Sequence, residues 1–549
     1  MSLEDKREAD QSNRLCNIMA VGVVVLAAIL RFYGLRWGLP DTLHSYSYHP
    51  DEFLTVGVAL SIGASLIPSF YNYPSLYIYL SAFAITAAFA YGVPASIAIP
   101  YLSARVITVL MGVGAVGLTY WSGRKLFSVG AGLTAALILC IAPLHVQHSH
   151  FATVDVPSTL FVAAALGFAG MILKQGNWRA YIYGGMMAGL AAGTKYNAGL
   201  IVFSIIAAHF LRDGLKWQSL RDKKLWVSIG CTIAAFIIST PGVILAFPSF
   251  LSGITYELRH AGVGHGLVFA GTGNGFVYTF TNSLWYGLGP GLTLLFGLAV
   301  VWSAFTRSKS AWVILAFILP YYALISLSEV RFARYTLPLF PAIALLCGWF
   351  VQEWWLKLTE RRLFLLRRIL LVSGIAIFIG AFVYTLFLNA LFGTPDPRDQ
   401  AARWIFSHVQ KGSRIGVLDY PWFYSPPLSK TFGFGTLPQR QEALSTAPYD
   451  ITVFADCEEP GCWNSKDAKP DWVILSDYET DDALRLRKNK TISTEDKKQV
   501  KRILDDLRKV RINYSRKVQF GGFDIPWLSQ LPHDMRYVSP TITIYELQR

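Results

Sequence analysis

Charge is what this chain has least of. Asp, Glu, Lys and Arg make up 15% of its 549 residues, while 53% are hydrophobic; soluble proteins carry roughly 25% charged residues. The shortage excludes an ordinary soluble protein and implies one that crosses a membrane repeatedly. Acids are scarcer than bases, 35 against 49, which leaves a formal net charge of +14. A nucleic-acid binder could show such an excess, but here many of the bases sit in short loops between apolar segments, where topology explains them. No internal repeat or low-complexity tract stands out. No small-residue cleavage site follows the polar start Met1 to Arg14, so the apolar run Ile18 to Leu30 reads as an uncleaved anchor. Cysteine is rare too, with six in all. Cys16, Cys140, Cys231 and Cys347 fall in or beside apolar runs. Cys457 and Cys462 lie in a polar region and read as a disulfide, which puts the C-terminal region in an oxidising compartment; two free thiols on a cytoplasmic domain are the alternative.

What the chain has in plenty is apolar runs broken by Gly and small residues, such as Val106 to Leu118, Val227 to Ile244 and Leu370 to Leu388. Basic loops at Gly123-Arg124-Lys125, Lys174 to Arg179, Arg212 to Lys224, Arg307 to Lys309 and Lys357 to Arg368 all fall on the cytoplasmic side by the positive-inside rule. The expectation is an all-α polytopic membrane domain over residues 1–390 with about 11 to 13 transmembrane helices. The larger number applies if Leu76 to Tyr91 is replaced by two short passes. An odd count leaves the N-terminus cytoplasmic and the C-terminus outside. The outer segments are then residues 36 to 75, 145–156, 194–197, 246–283 and 328–334. Past Leu391 the composition changes. Thr394-Pro395-Asp396-Pro397 is a break, a helical stretch runs from Arg398 to Val409, and strand-length runs follow at Arg414 to Leu418, Ile451 to Phe454 and Trp472 to Leu475. With the charged helical segment Thr494 to Val510, residues 391–549 read as a small α/β extracytoplasmic domain.

The candidate functional residues gather in the outer segments. Asp51 and Glu52, in Tyr48-His49-Pro50-Asp51-Glu52, suit a helix start, because Pro followed by two acids complements the helix dipole. Ionisable groups kept at a membrane boundary also mark function, with Asp51 as a proton acceptor and Glu52 orienting a neighbour. Asp155, before Val156-Pro157, is either a helix cap or a second functional carboxylate. Lys195 in Gly193-Thr194-Lys195-Tyr196, and Arg331 and Arg334 before Tyr335, stand outside against the charge rule. They read as phosphate contacts, or as snorkelling and head-group anchors. Tyr256 to His260 opens a long glycine-rich stretch, read as a mobile loop whose Arg259 or His260 touches a ligand, or as a plain connector. Its glycines lack the flanking strand and helix of a dinucleotide fingerprint. The spacing of His145, His148 and His150 near Asp155 is not diagnostic of a metal, so no metal ligand is assigned.

Several motifs in order resemble the GT-C superfamily, specifically the group containing protein O-mannosyltransferases and bacterial lipid A aminoarabinose transferases. They are His49-Pro50-Asp51-Glu52, Tyr73-Pro74-Ser75-Leu76, Arg105 opening a small-residue span, Gly123-Arg124-Lys125-Leu126-Phe127, Asp155-Val156-Pro157, Gly193-Thr194-Lys195-Tyr196, and Arg334-Tyr335-Thr336-Leu337-Pro338-Leu339-Phe340-Pro341. Pro395-Asp396-Pro397-Arg398 and Pro470-Asp471-Trp472-Val473-Ile474 resemble the tail domain of many relatives. The resemblance implies a polyprenyl-phosphate sugar donor, an inverting displacement and Asp51 as the base. Asn72-Tyr73 stand where the aminoarabinose transferases carry a Lys, which shifts phosphate binding to Lys195, Arg259, Arg331 or Arg334. The central soluble domain of the O-mannosyltransferases is absent, so protein mannosylation is not implied. Together the residues and the resemblance give a candidate site: Asp51, Glu52 and Asp155 for catalysis, with His49, Tyr73, Lys195, Arg259, His260, Arg331, Arg334 and Tyr335 for substrate.

The function expected is an integral-membrane glycosyltransferase of the plasma membrane, acting on the extracytoplasmic face. It takes a sugar from a polyprenyl-phosphate donor to a glycan, lipid or protein acceptor, requires no cofactor, with a divalent metal as the alternative, and binds membrane lipids but no nucleic acid. The alternative is a lipid-linked saccharide transporter or flippase, which would place charges near span centres or show inverted repeats. Neither feature is visible, because the ionisable residues collect at one face.

Overall fold

The computed structural model describes residues 3–62, 65–457, 469–523, 527 and 530–548, with side chains from Arg14 onward. The membrane domain is helical throughout. Its longer helices are α1 (Leu3–Phe32), α2 (Pro50–Ser61), α3 (Leu76–Ala90), α4 (Ala98–Leu126), α5 (Val129–Cys140), α6 (Asp155–Lys174), α7 (Trp178–Thr194), α8 (Val202–Asp213), α9 (Lys223–Ser239), α10 (Phe247–Val263), α11 (Pro290–Phe305), α12 (Lys309–Leu327), α13 (Phe340–Glu360) and α14 (Phe364–Ala390). Among the described residues six helices are long and apolar enough to cross a membrane, and Leu76–Ala90, Val129–Cys140 and Pro290–Phe305 are shorter apolar ones. Several spans expected from the sequence are therefore short helices: α7 and α9 have 17 residues each and α8 has 12. Seventeen residues reach about 25 Å, less than the roughly 30 Å of hydrocarbon.

Small residues let these helices approach closely. On α7, a Cβ on Gly185 would sit 2.2 Å from the Ser228 carbonyl oxygen of α9, and one on Gly189 would sit 2.3 Å from that of Thr232. Two glycines four residues apart thus put backbone against backbone, a packing device of membrane helices. The central core of the domain comes from α5, α6, α12 and α13, with Leu139, Val162, Leu166, Phe317 and Leu345 fully buried.

The glycine-rich outer stretch is not a loop at its start. Residues 247–263 form the 17-residue helix α10, opened by Pro248 in its first turn and closed at Gly264, whose φ of 95° no other residue type adopts easily. Of the glycines that suggested mobility, Gly262 lies in the last turn of the helix, those at 264, 266, 271 and 273 follow it, and Gly275 opens the short helix Gly275–Tyr278.

After α14 the chain enters the tail domain through α15 (Pro397–His408). A five-stranded sheet follows, built from β1 (Arg414–Val417), β2 (Asp450–Val453), β3 (Trp472–Ser476), β4 (Tyr514–Phe520) and β5 (Ile542–Leu547), in the order β2-β1-β3-β5-β4. β1 pairs in parallel with β2 and β3, while β5 runs antiparallel to β3 and β4. Helices α16 (Asp477–Leu486) and α17 (Thr494–Asn513) cover it. Val500, Ile503, Leu507 and Val510 of α17 form the apolar stripe turned to the sheet. The three strands read from the sequence are present. The two added ones carry less signal, β4 because it is a polar edge strand, YSRKVQF. Cys457 is disulfide-bonded and the other described cysteines are free; its expected partner Cys462 lies outside the described residues.

Candidate active site

Pro50 opens α2, and His49 caps it by accepting the Asp51 amide on Nδ1 at 3.3 Å. The first turn then sends the two acids different ways. Glu52 turns inward and is fully buried. Arg105 of α4 donates to both its oxygens at 2.7 Å, the Ala152 amide donates at 2.6 Å, and the Ser47 hydroxyl donates as well. The same guanidinium holds the carbonyls of Leu35 and Trp37. Glu52 therefore ties the first outer segment to α4 and to the turn before α6. Its lone pairs are spent on this network, so it is a positioning group and not one that meets substrate.

Asp51 turns the other way. Its Oδ2 lies 3.0 Å from Nη2 of Arg334, which the 3₁₀ turn Ala333–Leu339 presents from the far side of the bundle. The Arg334 guanidinium lies on the Phe332 ring at 4.1 Å, and its Nη1 donates to the Tyr537 hydroxyl at 3.3 Å. The turn itself is held by the tail domain, for Asp534 accepts the amides of Ala333 and Arg334 at 3.1 and 2.8 Å. A second pair stands alongside. Asp155, at the first turn of α6, accepts from Nζ of Lys195 at 2.5 Å, and the ammonium lies 4.9 Å over the Tyr335 ring.

Asp155, Lys195, Arg334 and Tyr335 line a cavity of about 280 Å³ whose other walls include Tyr73, Glu257, His260 and the apolar Ile254, Leu324 and Ile325. Acids and bases thus converge in a largely apolar hollow, a composition suited to a lipid carrying an anionic head. Burial pushes the Asp51 carboxyl above its usual range, against the opposing pull of Arg334. Burial likewise lifts Glu257 to about 6, with a hydrogen bond from Asn72 opposing it. It also lowers His49 and His148, so both imidazoles are neutral.

The sequence-based set divides on these coordinates. Asp51, Asp155, Tyr73, Lys195, His260, Arg334 and Tyr335 come together, with His49 as the cap beneath Asp51. Arg259 is on the exposed face of α10 and does not line the cavity. Arg331 is turned away, donating to the Ser328 and Gly273 carbonyls and the Thr272 hydroxyl, with Glu329 at 3.4 Å. The histidines diverge: His145 bonds Arg31 and Thr159, His150 bonds the Tyr33 and Val146 carbonyls, and His148 has both ring nitrogens buried without a partner. Glu257, Asp534 and Tyr537 were not read from the sequence. Glu257 shares a helical face with Ile254, Leu258 and Ala261, a periodicity hidden by treating the stretch as a loop. Asp534 and Tyr537 reach the site only through the docking of the tail, which no local pattern records.

Residues 95–244 match the family model described as dolichyl-phosphate-mannose-protein mannosyltransferase, a segment that includes Asp155 and Lys195. No curated protein matches the chain. Among solved structures it is similar to ArnT from Cupriavidus metallidurans bound to undecaprenyl phosphate, with 14% identity, a TM-score of 0.50, and coverage of 96% of this chain and 97% of that one. The apo state of the same protein gives 15% identity, a TM-score of 0.51 and coverage of 88% and 96%. The Archaeoglobus fulgidus oligosaccharyltransferase in its apo form gives 13%, 0.48, and 95% and 77%. The chain thus shares the fold of ArnT over nearly its whole length, and among its described residues are helices long and apolar enough to cross a membrane. The family-model match spans residues 95–244, a little over a quarter of the chain, and the likeness to ArnT is one of fold.

Proposed function

We propose that the protein is a membrane glycosyltransferase that moves a sugar from a polyprenyl-phosphate donor to an acceptor on the extracytoplasmic face of the plasma membrane, with its N-terminus cytoplasmic and its tail domain outside. The observation that carries this reading is the Asp51–Arg334 pair at 3.0 Å beside an apolar cavity that also holds Lys195 and Asp155.

The residues divide the work as follows. The donor's prenyl chain lies against Ile254, Leu324 and Ile325, and its phosphate is drawn to Arg334 and Lys195, the two cations that line the hollow. Once the phosphate takes up Arg334, Asp51 loses its partner and becomes a stronger base. It accepts the proton of the acceptor hydroxyl or amine as that group attacks the anomeric carbon from the face opposite the phosphate. The bond from the anomeric carbon to the phosphate oxygen breaks, the configuration inverts, and the departing phosphate's charge is held by the guanidinium and the ammonium. Asp155 fixes Lys195 in place, and Tyr335 lies beneath the ammonium. Glu257, lifted to about 6, lines the same hollow and offers an acceptor for a sugar hydroxyl.

The test uses the purified full chain with a radiolabelled polyprenyl-phosphate sugar. Asp51→Asn is expected to stop sugar release while the protein still purifies as a folded monodisperse species. Release at the unaltered rate removes Asp51 as the base.

A further inference from the structure

We propose a divalent-metal site at Asp41, His44 and Asp399, joining the first outer segment to α15 of the tail domain and selective for a zinc-like cation over magnesium or calcium. His44 is 1% exposed. Its Nδ1 lies 2.5 Å from the Tyr46 carbonyl oxygen, and a carbonyl can only accept, so Nδ1 carries the proton and Nε2 is left with a bare lone pair. A backbone carbonyl fixing one ring nitrogen is how metal-binding imidazoles are usually held. Stacking on Tyr48, with ring centroids 4.2 Å apart, sets the direction of the other nitrogen. Nε2 faces Asp41 Oδ1 and Asp399 Oδ1, each at 3.8 Å, too far for a hydrogen bond. Among the described residues it has no other polar partner.

The spacing suits an ion. Ligand atoms about 2.1 Å from one tetrahedral zinc stand about 3.4 Å from one another, so a small inward shift of each side chain closes the shell. Oδ1 of Asp41 is already held by the amides of Leu43 and His44, and Oδ1 of Asp399 by the Tyr48 hydroxyl, while no described hydrogen bond occupies Oδ2 of either. Each carboxylate is thus oriented through the oxygen measured from Nε2, and its Oδ2 keeps its lone pairs for an ion. Charge points the same way. Among the described residues no Lys or Arg lies within ion-pair distance of Asp41 or Asp399, whereas the neighbouring Asp396 is matched by Arg398 at 2.6 Å. Both acids line a hollow of about 640 Å³, room enough for water to complete the coordination. One imidazole with two carboxylates favours zinc-like ions, since magnesium and calcium prefer oxygen alone. None of the three residues lines the catalytic cavity.

The full-length protein in detergent, stripped with a chelator, loaded with zinc chloride and passed through gel filtration, tests this by metal content per chain. The wild type is expected to keep one equivalent more than His44→Ala and Asp399→Asn, and Asp51→Asn to keep as much as the wild type. The thermal midpoint is expected to rise with zinc, but not with magnesium, in the wild type and in Asp51→Asn only. Asp399→Asn keeps an acceptor for the Tyr48 hydroxyl and serves if His44→Ala fails to fold. Equal zinc in the wild type and Asp399→Asn overturns the proposal, as does zinc lost from Asp51→Asn or Asp155→Asn but kept by Asp399→Asn.

Discussion

Asp51 cannot hold Arg334 and take a proton with full strength at once, and the proposed reaction turns on this competition. General bases contribute roughly 10²- to 10⁴-fold to rate, so Asp51→Asn should lower turnover by at least about 10²-fold with donor binding kept, read from single-turnover release against donor affinity. The pH dependence follows from burial. In the proposed reaction Asp51 acts ionised, and its carboxyl lies above the usual range. Activity is therefore lost as the pH falls through that raised value, and the acid limb of kcat/KM should stand above the ~4 of an ordinary carboxylate. Arg334→Met removes the charge that opposes the rise and should move the limb further up; an unmoved limb would assign it to another group. Glu52 differs. Removing one partner of a fully buried ion pair costs roughly 3–5 kcal/mol, so Arg105→Met should lower the thermal midpoint sharply. The sequence singled out Asp51, Asp155, Lys195 and Arg334 because each is an ionisable residue at an outer boundary, and it paired Glu52 with Asp51 because they are adjacent. It could not say which way each would turn, since one residue along a helix is a rotation of about 100°.

At the scale of elements, one departure from the sequence reading has a physical cause. Residues 247–263 were taken with the glycines that follow them, although Phe250, Gly253, Ile254 and Glu257 carry a helical period of their own. On the facing sides of α7 and α9, glycine and serine let the two helices pack backbone against backbone. That packing is testable. Gly189 has no room for a side chain against Thr232 and Ala235, and Gly189→Leu should reduce the yield of folded protein and its thermal midpoint, whereas a change at Gly230, where nothing lies within 4 Å of an added Cβ, should not. A tolerated Gly189→Leu would mean that α9 stands off from α7.

The whole molecule is one assembly of membrane and tail parts. Arg485 of α16 donates to the carbonyls of Leu267, Val268 and Ala270, Gln147 donates to Met535, and Asp534 and Tyr537 hold Arg334. The change in composition past Leu391 marked where one part ends, and the short apolar runs announced its parallel strands. Their docking was not legible, because it rests on single polar contacts between residues hundreds of positions apart. Arg485→Ala should speed hydrogen exchange in residues 266–271 without altering the sheet. Unchanged exchange there would assign the anchoring to other contacts. The Arg334 turn takes its shape from amides bound to Asp534. During biosynthesis that turn therefore stays unset until residues 533–537, about 200 positions further along, have been made and seated against it, so the order of synthesis becomes the order in which the pocket is assembled.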